Sequence, residues 1–383
     1  MATFPEICVK LLNHVKGTVH DCWDSLTPVI GGSTNVVCRG NLRQPGFSRF
    51  DVGTVILKYT TDSLAVNADF KLEASRCETE VAMMRMLSAQ PDLPFRSPRV
   101  LSFFRAPGGH GIQVHDDFGA VLSVSDVLRS PTTDPAVAVA IGVEAGRCLK
   151  SFHQFTATFG LPLGGSPKPS TFVNQPMRNT KYNTSYKNLV DVLGSFPGVL
   201  EGDDSVLMEC VQLLAHDELE EMQRFDAGAE ALKGWGMIHG DFCAGNVLLL
   251  ESPSSVSNKL AIIDWEMAQY GHRAYDLGQF IGDLLEIAYL DTPNSISSLC
   301  AIQGFIRGYG GLSDELAFRT AIHAGVHFVY WHVRRPPSDM MLGTPDRIQT
   351  SMKCYGRDFI VHGWLKNRAW FKGTALGSLF GFL

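Results

Sequence analysis

A short polar turn ahead of an apolar run carries the side chains best suited to chemistry. His239, Asp241 and Asn246 occupy this turn. A second apolar run, Leu260 to Ile263, ends directly before Asp264. We interpret the two runs as a hairpin that returns Asp264 to a position beside Asp241 and Asn246. Carboxylate and carboxamide oxygens suit Mg²⁺, and a carboxylate can take a proton from a hydroxyl group.

The spacing therefore predicts a phosphoryl-transfer site, with Asp241 as the catalytic base and Asn246 and Asp264 as magnesium ligands. Each residue alone has an ordinary alternative. A single aspartate in a turn often caps its own backbone, and His239 could be a buried hydrogen-bonding group. The combination of all of them next to a predicted hairpin favours the functional interpretation.

The N-terminal part of the chain is predicted to bind a nucleotide. Pro28 to Arg39 is typical of two strands joined by a glycine turn, in which the backbone at Gly31, Gly32 and Asn35 could hold phosphate oxygens. Lys58 lies near the end of the apolar strand Val52 to Tyr59 and needs an anion nearby. Phosphate and a helix glutamate would supply it. Glu80 is the candidate glutamate, with Glu73 and Glu78 as alternatives.

A polar break at His115 to Gly119 marks the predicted domain boundary. We predict a β-rich nucleotide-binding lobe over residues 1–116, and a helical lobe with the catalytic loop and acceptor site over 117–383. The linker, including His115 and Asp117, is expected to contact adenine. The fold class is thus α+β, with one key helix in the first lobe.

The second lobe is predicted to be mainly helical. Asp134-Pro135 opens a helix to about Phe155, because Asp caps a helix and Pro suits its first position. Leu161 to Gly198 is interpreted as a partly irregular insertion that forms a wall of the acceptor site. Further helices are predicted over 206–225, 275–290, 297–309 and 314–331, Phe4 to Asp24 has helical spacing in the first lobe, and Asp276 is expected to be structural.

Composition limits the class of protein. The 383 residues are 45% hydrophobic and 19% charged, enough for a large core, and the formal net charge of −6 argues against nucleic acid. The nine cysteines form no C-x-x-C pair, so free thiols are expected, and Cys243 is interpreted as a small loop-filling residue rather than a reactive thiol. No secretory signal and no membrane-spanning run is apparent, which makes the cytoplasm the default location.

The chain resembles the aminoglycoside phosphotransferase and choline kinase-like superfamily, whose fold is that of protein kinases. It looks most similar to a fungal branch related to methylthioribose kinase and 4-hydroxytryptamine kinase. The residues that carry the resemblance are Gly31, Gly32, Asn35, Lys58, Glu80, the run from His239 through Asp241 to Asn246, Asp264-Trp265-Glu266, and Asp276.

The resemblance implies a bilobal fold, ATP and Mg²⁺ as cofactors, and phosphorylation of a small-molecule hydroxyl group. It also suggests that Arg334 and Arg335 contact substrate, whereas a helix C-terminus would explain them equally well; Glu266 is a further candidate near the metal. Gly240 stands where protein kinases carry arginine, and only a short segment separates Asp264 from Asp276. We therefore expect a small-molecule substrate and constitutive activity.

Alternatives remain open. They are an aminoglycoside-type antibiotic phosphotransferase, a non-catalytic nucleotide-binding regulator, and a nucleotidyltransferase. Lys168, Arg178, Lys181 and Lys187 make the insertion basic, which favours a metabolite over a cationic antibiotic. The apolar tail, Trp370 to Leu383, is expected either to pack on the helical lobe or to form an oligomer contact.

Overall fold

An antiparallel five-stranded sheet and one long helix form the first of two compact units in the computed structural model. This unit contains the described residues within Met1–Asp92, Arg96–Val121 and Ala261–Met267, and the second contains those within Leu93–Phe95, Leu122–Leu260 and Ala268–Leu383. The structure describes residues 23–29, 34–42, 53–65, 69–106, 108–158, 170–195, 199, 204–226, 233–250, 260–291, 296–330 and 345–382.

The sheet of the first unit has the strand order β1-β2-β3-β5-β4. Valine, isoleucine and leucine residues that alternate along its strands form the core on one face. The opposite face presents Lys58, which alternates with the fully buried Leu57. The strands are β1 Trp23–Pro28, β2 Val36–Leu42, β3 Thr54–Thr60, β4 Val100–Arg105 and β5 Gly111–Asp116.

Helix α1, Arg76–Ser88, packs against β4 and β5. Its alanine, leucine, methionine and glutamate residues are strong helix formers. The later segment Ala261–Met267 also belongs to this unit. A parallel bridge joins Ala261 to Arg96, and a one-turn 3₁₀ helix, Trp265–Met267, packs on α1.

The second unit is mainly helical. Two of its helices cross at very short range through glycines, because a Cβ atom at Gly142 would lie 2.1 Å from the Ala301 carbonyl oxygen and one at Gly304 2.2 Å from that of Val139. The small side chains of the predicted helix thus serve close packing. The helices are α2 Val124–Arg129, α3 Pro135–Phe155, α4 Ser170–Val173, α5 Gln175–Tyr182, α6 Leu189–Gly194, α7 Asp204–Asp226, α8 Ala274–Glu286, α9 Ile296–Tyr309, α10 Asp314–Val329, α11 Pro345–Ser351 and α12 Asp358–Trp364.

Short strands frame the polar loop of the second unit. Strand β7, Trp235–Ile238, leads into the loop and pairs antiparallel with β10, Gln269–His272. Strand β8, Val247–Leu249, follows the loop and pairs with β6, Leu122–Ser123. Strand β9, Leu260–Ile262, supplies the second strand of the predicted hairpin.

Two predictions of secondary structure were wrong. The insertion is not irregular over 170–195, where it forms α4 to α6 and a π-helical turn, Asn183–Lys187, because its few apolar side chains are buried by packing. The predicted first helix does not reach Asp24. Trp23 and Asp24 begin strand β1, since pairing with β2 outweighs the local helical pattern, and residues 1–22 lie outside the described residues.

The C-terminal tail packs within its own unit. Its 3₁₀ turns, Arg368–Phe371 and Gly377–Phe380, bury Phe371, Leu376 and Phe380, and Phe318 of α10 stacks near Phe380. The structure therefore gives no support to an oligomer contact through this tail. None of the described helices is long and apolar enough to cross a membrane.

Candidate active site

Lys58 lies at the centre of a buried charge cluster in the first unit. Its Nζ donates to Glu80 Oε1 at 2.8 Å and to Asp264 Oδ1 at 2.5 Å, and Glu266 Oε2 is 3.7 Å away. Burial alone would lower the pKa of Lys58, but the charges of Asp264, Glu80 and Glu266 together raise it above its ordinary value. The amine therefore stays charged, as a phosphate-binding lysine must.

The structure settles which glutamate faces Lys58. Glu80 lies on α1 and also accepts a hydrogen bond of 2.8 Å from the Gln113 amide on β5. Glu78 instead pairs with Arg105 at the surface. One α-helical turn brings only one of two residues spaced by two positions toward the sheet, so burial selects Glu80.

Asn35 and Glu266 belong to the same cluster. The Asn35 amide donates to Glu266 Oε2 at 2.7 Å, and the Arg76 guanidinium lies 3.1 Å from that oxygen. Burial is the main cause that raises the pKa of Glu266 to about 7, although Lys58 opposes the rise. Glu266 is only 3% exposed, and these contacts hold it against Arg76 and Asn35. Gly31 and Gly32 lie outside the described residues.

Asp264 combines a strained backbone with an accessible side chain. Its φ is +66°, a left-handed conformation that few residues other than glycine adopt. Its side chain is 29% exposed, whereas those of Glu80 and Glu266 are 2% and 3% exposed. Among these three carboxylates, Asp264 is thus the one that a metal ion could reach. Strain of this kind persists only where the surroundings hold it in place.

The residues predicted to contact adenine follow strand β5. His115 is 9% exposed, and burial lowers its pKa. Asp117 accepts hydrogen bonds from Arg39 Nε at 2.5 Å and from the Gly119 amide at 2.9 Å. Burial alone would raise the pKa of Asp117, but these hydrogen bonds outweigh it and lower the pKa. The Asp117 side chain therefore fixes the turn.

In the second unit, Asp276 clamps the polar loop through its backbone. Its Oδ2 accepts from the His239 amide at 2.8 Å and its Oδ1 from the Gly240 amide at 2.9 Å. His153 Nε2 lies 3.0 Å from Oδ2. Gly240 has φ +80°, which explains glycine at this position. Asp276 is structural, as predicted, and its partner is the loop itself.

The clamped loop presents the Asp241 carboxylate between two amides. Asn246 Nδ2 donates to Asp241 Oδ2 at 3.2 Å and to the Asp241 carbonyl at 2.9 Å. Gln279 Nε2 donates to Asp241 Oδ1. His239 is fully buried, and its Nδ1 accepts from the Asp241 amide at 3.2 Å, which is the structural alternative considered for it. Both Asn246 bonds use the amide nitrogen, so its Oδ1 faces elsewhere.

The structure thus brings the predicted residues together in two groups. Lys58, Glu80, Asp264, Glu266 and Asn35 form one in the first unit. Asp241 and Asn246 form the other in the second unit. The predicted approach of Asp264 to Asp241 relates the two units and stays a prediction. Arg334 and Arg335 lie outside the described residues.

Sequence reasoning missed three supporting residues. Arg76 is fully buried beside Glu266, Gln113 holds Glu80, and Gln279 holds Asp241. A signal existed for Gln279, because it stands three positions after Asp276 and therefore shares a helix face with it. Arg76 and Gln113 left no such signal, since their partners lie far away along the chain.

Cys243 is a poor nucleophile in this loop. Burial is the main cause that raises its pKa well above the ordinary value, and the charges of Asp241 and Asp283 add to the effect. A thiol with such a pKa carries little thiolate near neutral pH. The seven cysteines that the structure describes are free, in agreement with the expected reduced thiols.

Known proteins provide an independent comparison. The sequence profile of the phosphotransferase enzyme family matches residues 53–310. Phosphotransferase FrzJ of Cladobotryum sp is 25% identical over 402 residues, which cover 98% of this chain and 96% of the relative. The 4-hydroxytryptamine kinase of Psilocybe cubensis is 23% identical over 312 residues, which cover 79% of this chain and 78% of the relative.

Solved structures give the fold. The GDP complex of wild-type aminoglycoside 2′-phosphotransferase-IIIa matches with a TM-score of 0.50 at 14% identity, and the match covers 94% of this chain and 99% of that one. The predicted α+β, protein-kinase-like fold and the predicted superfamily are both confirmed. The prediction of an enzyme that phosphorylates an alcohol group is confirmed at the level of the family. The chain belongs to the phosphotransferase enzyme family.

Proposed function

We propose that this phosphotransferase is a small-molecule kinase that moves the γ-phosphoryl group of ATP to an alcohol hydroxyl of a metabolite, with Mg²⁺ as the metal. The observation that carries the proposal is the Asp241 carboxylate, held between the amides of Asn246 and Gln279 on a loop that Asp276 clamps. A carboxylate fixed in this way is suited to orient a hydroxyl group and accept its proton.

In the proposed reaction, the acceptor oxygen forms a bond to the γ-phosphorus. The bond from that phosphorus to the bridging oxygen of ADP breaks, and the hydroxyl proton passes to Asp241. Lys58 binds phosphate oxygens, and Glu80 fixes the direction of its amine. The described backbone near Asn35 and the linker at His115 and Asp117 are proposed to border the nucleotide.

The residues present fit a magnesium ion. Asp264 offers an accessible carboxylate and Asn246 a carboxamide oxygen, which are the hard donors that Mg²⁺ prefers. Bound Mg²⁺ would offset charge that develops on the phosphate oxygens during transfer. Its absence should leave Lys58 bound to Asp264, as the structure shows, so metal binding and phosphate binding by Lys58 are expected to occur together.

The acceptor is proposed to be a metabolite that carries a hydroxyl group. The basic character of the insertion supports this less than expected, because Arg178 is neutralised by Asp226 at 2.6 Å and Lys181 is buried. Relatives named as 4-hydroxytryptamine kinase make hydroxyindoles the first compounds to test, followed by sugars and amino alcohols. Arg334 and Arg335 remain proposed substrate contacts.

The test combines an acceptor screen with one substitution. ADP release from Mg·ATP is measured against the compound panel, and the product mass shows whether one phosphate or a whole nucleotide was added. Asp241→Ala should then lower kcat by about two to four orders of magnitude, the scale expected for loss of a general base. Asp217→Ala, at an exposed position of α7, is the matched control.

The outcomes separate the alternatives. Full activity of Asp241→Ala on the accepted compound would refute the base assignment. Transfer of a nucleotide would identify a nucleotidyltransferase. Tight binding of Mg·ATP without turnover on any compound would identify a regulator. Asp264→Ala should abolish magnesium-dependent nucleotide binding, and unchanged binding would remove Asp264 from the metal site.

A further inference from the structure

A buried lysine of the second unit is linked to Asp241 through one glutamine. Lys181 lies on α5 and is 8% exposed, and Gln279 lies on α8 and is 4% exposed. Lys181 Nζ donates to Gln279 Oε1 at 2.5 Å, and Gln279 Nε2 donates to Asp241 Oδ1. The lysine comes from the segment that sequence analysis assigned to the acceptor wall, so this contact connects that segment to the proposed base.

The chemistry of the three groups fixes the direction of the glutamine amide. An ammonium group can only donate hydrogen bonds, so it must face the amide oxygen. The amide nitrogen then faces Asp241, and an ionised carboxylate can only accept. The opposite orientation would place a donor against the ammonium and an oxygen against the carboxylate. Lys181 thus determines which end of Gln279 Asp241 meets.

The support on which Lys181 stands is rigid. Arg178, one turn earlier on α5, binds Asp226 of α7 at 2.6 Å. Tyr182 donates from its hydroxyl group to the Ala215 carbonyl of the same helix at 3.1 Å. These anchors hold α5 against α7, so the position of the ammonium is set by packing rather than by the lysine's own rotamers.

The two oxygens of Asp241 are therefore divided between two donors. Gln279 holds Oδ1, and Asn246 approaches Oδ2 at the longer distance of 3.2 Å. Rotation of the carboxylate would break both bonds. We propose that Lys181 and Gln279 are positioning residues that fix the carboxylate of Asp241 for the acceptor hydroxyl, an inference that rests on the proposed function of Asp241.

A direct role of Lys181 in acceptor binding would behave differently. A lysine that contacts the acceptor would alter its KM and would act whether or not Gln279 is present. A positioning lysine acts only through Gln279, so its removal should lower kcat and leave the KM of the acceptor and the Kd of Mg·ATP unchanged. A double-mutant cycle distinguishes the two.

The experiment uses the full chain with three variants: Lys181→Met, Gln279→Leu and their combination. Single-turnover conversion of labelled Mg·ATP is followed with an accepted alcohol, and with water as acceptor until an alcohol is known. Each single change should lower the rate about 10- to 100-fold, the scale for a misplaced catalytic group. The double variant should be no slower than Gln279→Leu, since Lys181 has then lost its route to Asp241.

Matched controls separate position from residue type. Lys187→Met and Gln303→Leu remove the same side chains from exposed sites of the second unit and should keep the wild-type rate. Melting temperatures identify variants that fail to fold. Gln279→Glu, which keeps the shape of the side chain but turns a carboxylate toward Asp241, replaces Gln279→Leu in that case and should be equally slow.

The inference is overturned if both single variants stay within about two-fold of the wild type, a change too small for a misplaced base. It is also overturned if Lys181→Met slows the Gln279→Leu background further, or if it raises the acceptor KM. Asp241→Ala distinguishes the levels of failure. An inactive Asp241→Ala beside active Lys181→Met and Gln279→Leu refutes only the positioning role, whereas an active Asp241→Ala refutes the base assignment itself.

Discussion

Replacement of Asp276 by asparagine tests whether the clamp on the polar loop is needed for stability and for turnover. Asp276 is fully buried and accepts bonds from the amides of His239 and Gly240 and a contact from His153. Burial alone would raise its pKa, but its hydrogen bonds to His153 and its proximity to His239 outweigh this and lower the pKa. Asparagine keeps the shape but supplies one oxygen instead of two.

The structure gives the size of the effect. One backbone amide would face a new N–H₂ donor, and an unsatisfied buried group costs about 1–3 kcal/mol. The other would exchange a charged acceptor for a neutral one, at a further cost of about 1 kcal/mol. The Asp276→Asn variant should therefore lose about 2–4 kcal/mol of unfolding free energy. Because the loop carries Asp241, kcat should also fall at temperatures where the protein is folded.

Denaturant unfolding measures the free energy, and ADP release measures kcat on the same samples. Asp217→Asn, at an exposed position of α7, is the matched control and should stay within about 0.5 kcal/mol of the wild type. If Asp276→Asn matches this control in both stability and kcat, then the three contacts of Asp276 do not hold the loop and the reasoning fails.

Three further predictions concern other parts of the chain. Glu80→Gln should raise the Kd of Mg·ATP about ten-fold, measured by calorimetry, because a hydrogen bond to a charged group contributes about 1.5–3 kcal/mol; Glu78→Gln is the control, and equal effects of the two would contradict the pairing. Burial lowers the pKa of His153 and His272, so the unfolded chain takes up protons that the folded protein does not, and unfolding free energy should fall as the pH drops below about 6.5. A flat profile between pH 7.5 and 5.5, in about 0.1 M salt, would speak against this. Phe371→Ala should cost about 3–5 kcal/mol in denaturant unfolding, because this side chain is fully buried in the tail, and a negligible loss would show that the tail is not part of the core.

Helix boundaries illustrate how much the residue pattern could predict. Helix α3 begins at Pro135 and ends at Phe155, as its capping aspartate and its apolar spacing indicated. Local signals sufficed there because a cap and a first-turn proline act within one helical turn. The segment 170–195 had weaker signals, and its helices form because tertiary packing covers their few apolar side chains.

The candidate site divides in the same way. Lys58 was recognisable because a charged residue inside an apolar strand requires a partner, and the choice of Glu80 over Glu78 needed the direction of the helix face. The partnership of Asp241 with Gln279 and Lys181 was hidden, because those residues are separated by 38 and 98 positions along the chain.

By itself, the order of residues determined which side chains could do chemistry here: a loop with Asp241 and Asn246, an aspartate after a short strand, and a lysine inside an apolar one. It could do so because local backbone geometry follows from short-range spacing. Only the tertiary structure decided which partners hold these groups, and it placed Asp264 beside Lys58 and Asp276 beneath the loop. Burial is the physical reason, since a charge removed from water must find its partner wherever the folded chain supplies one.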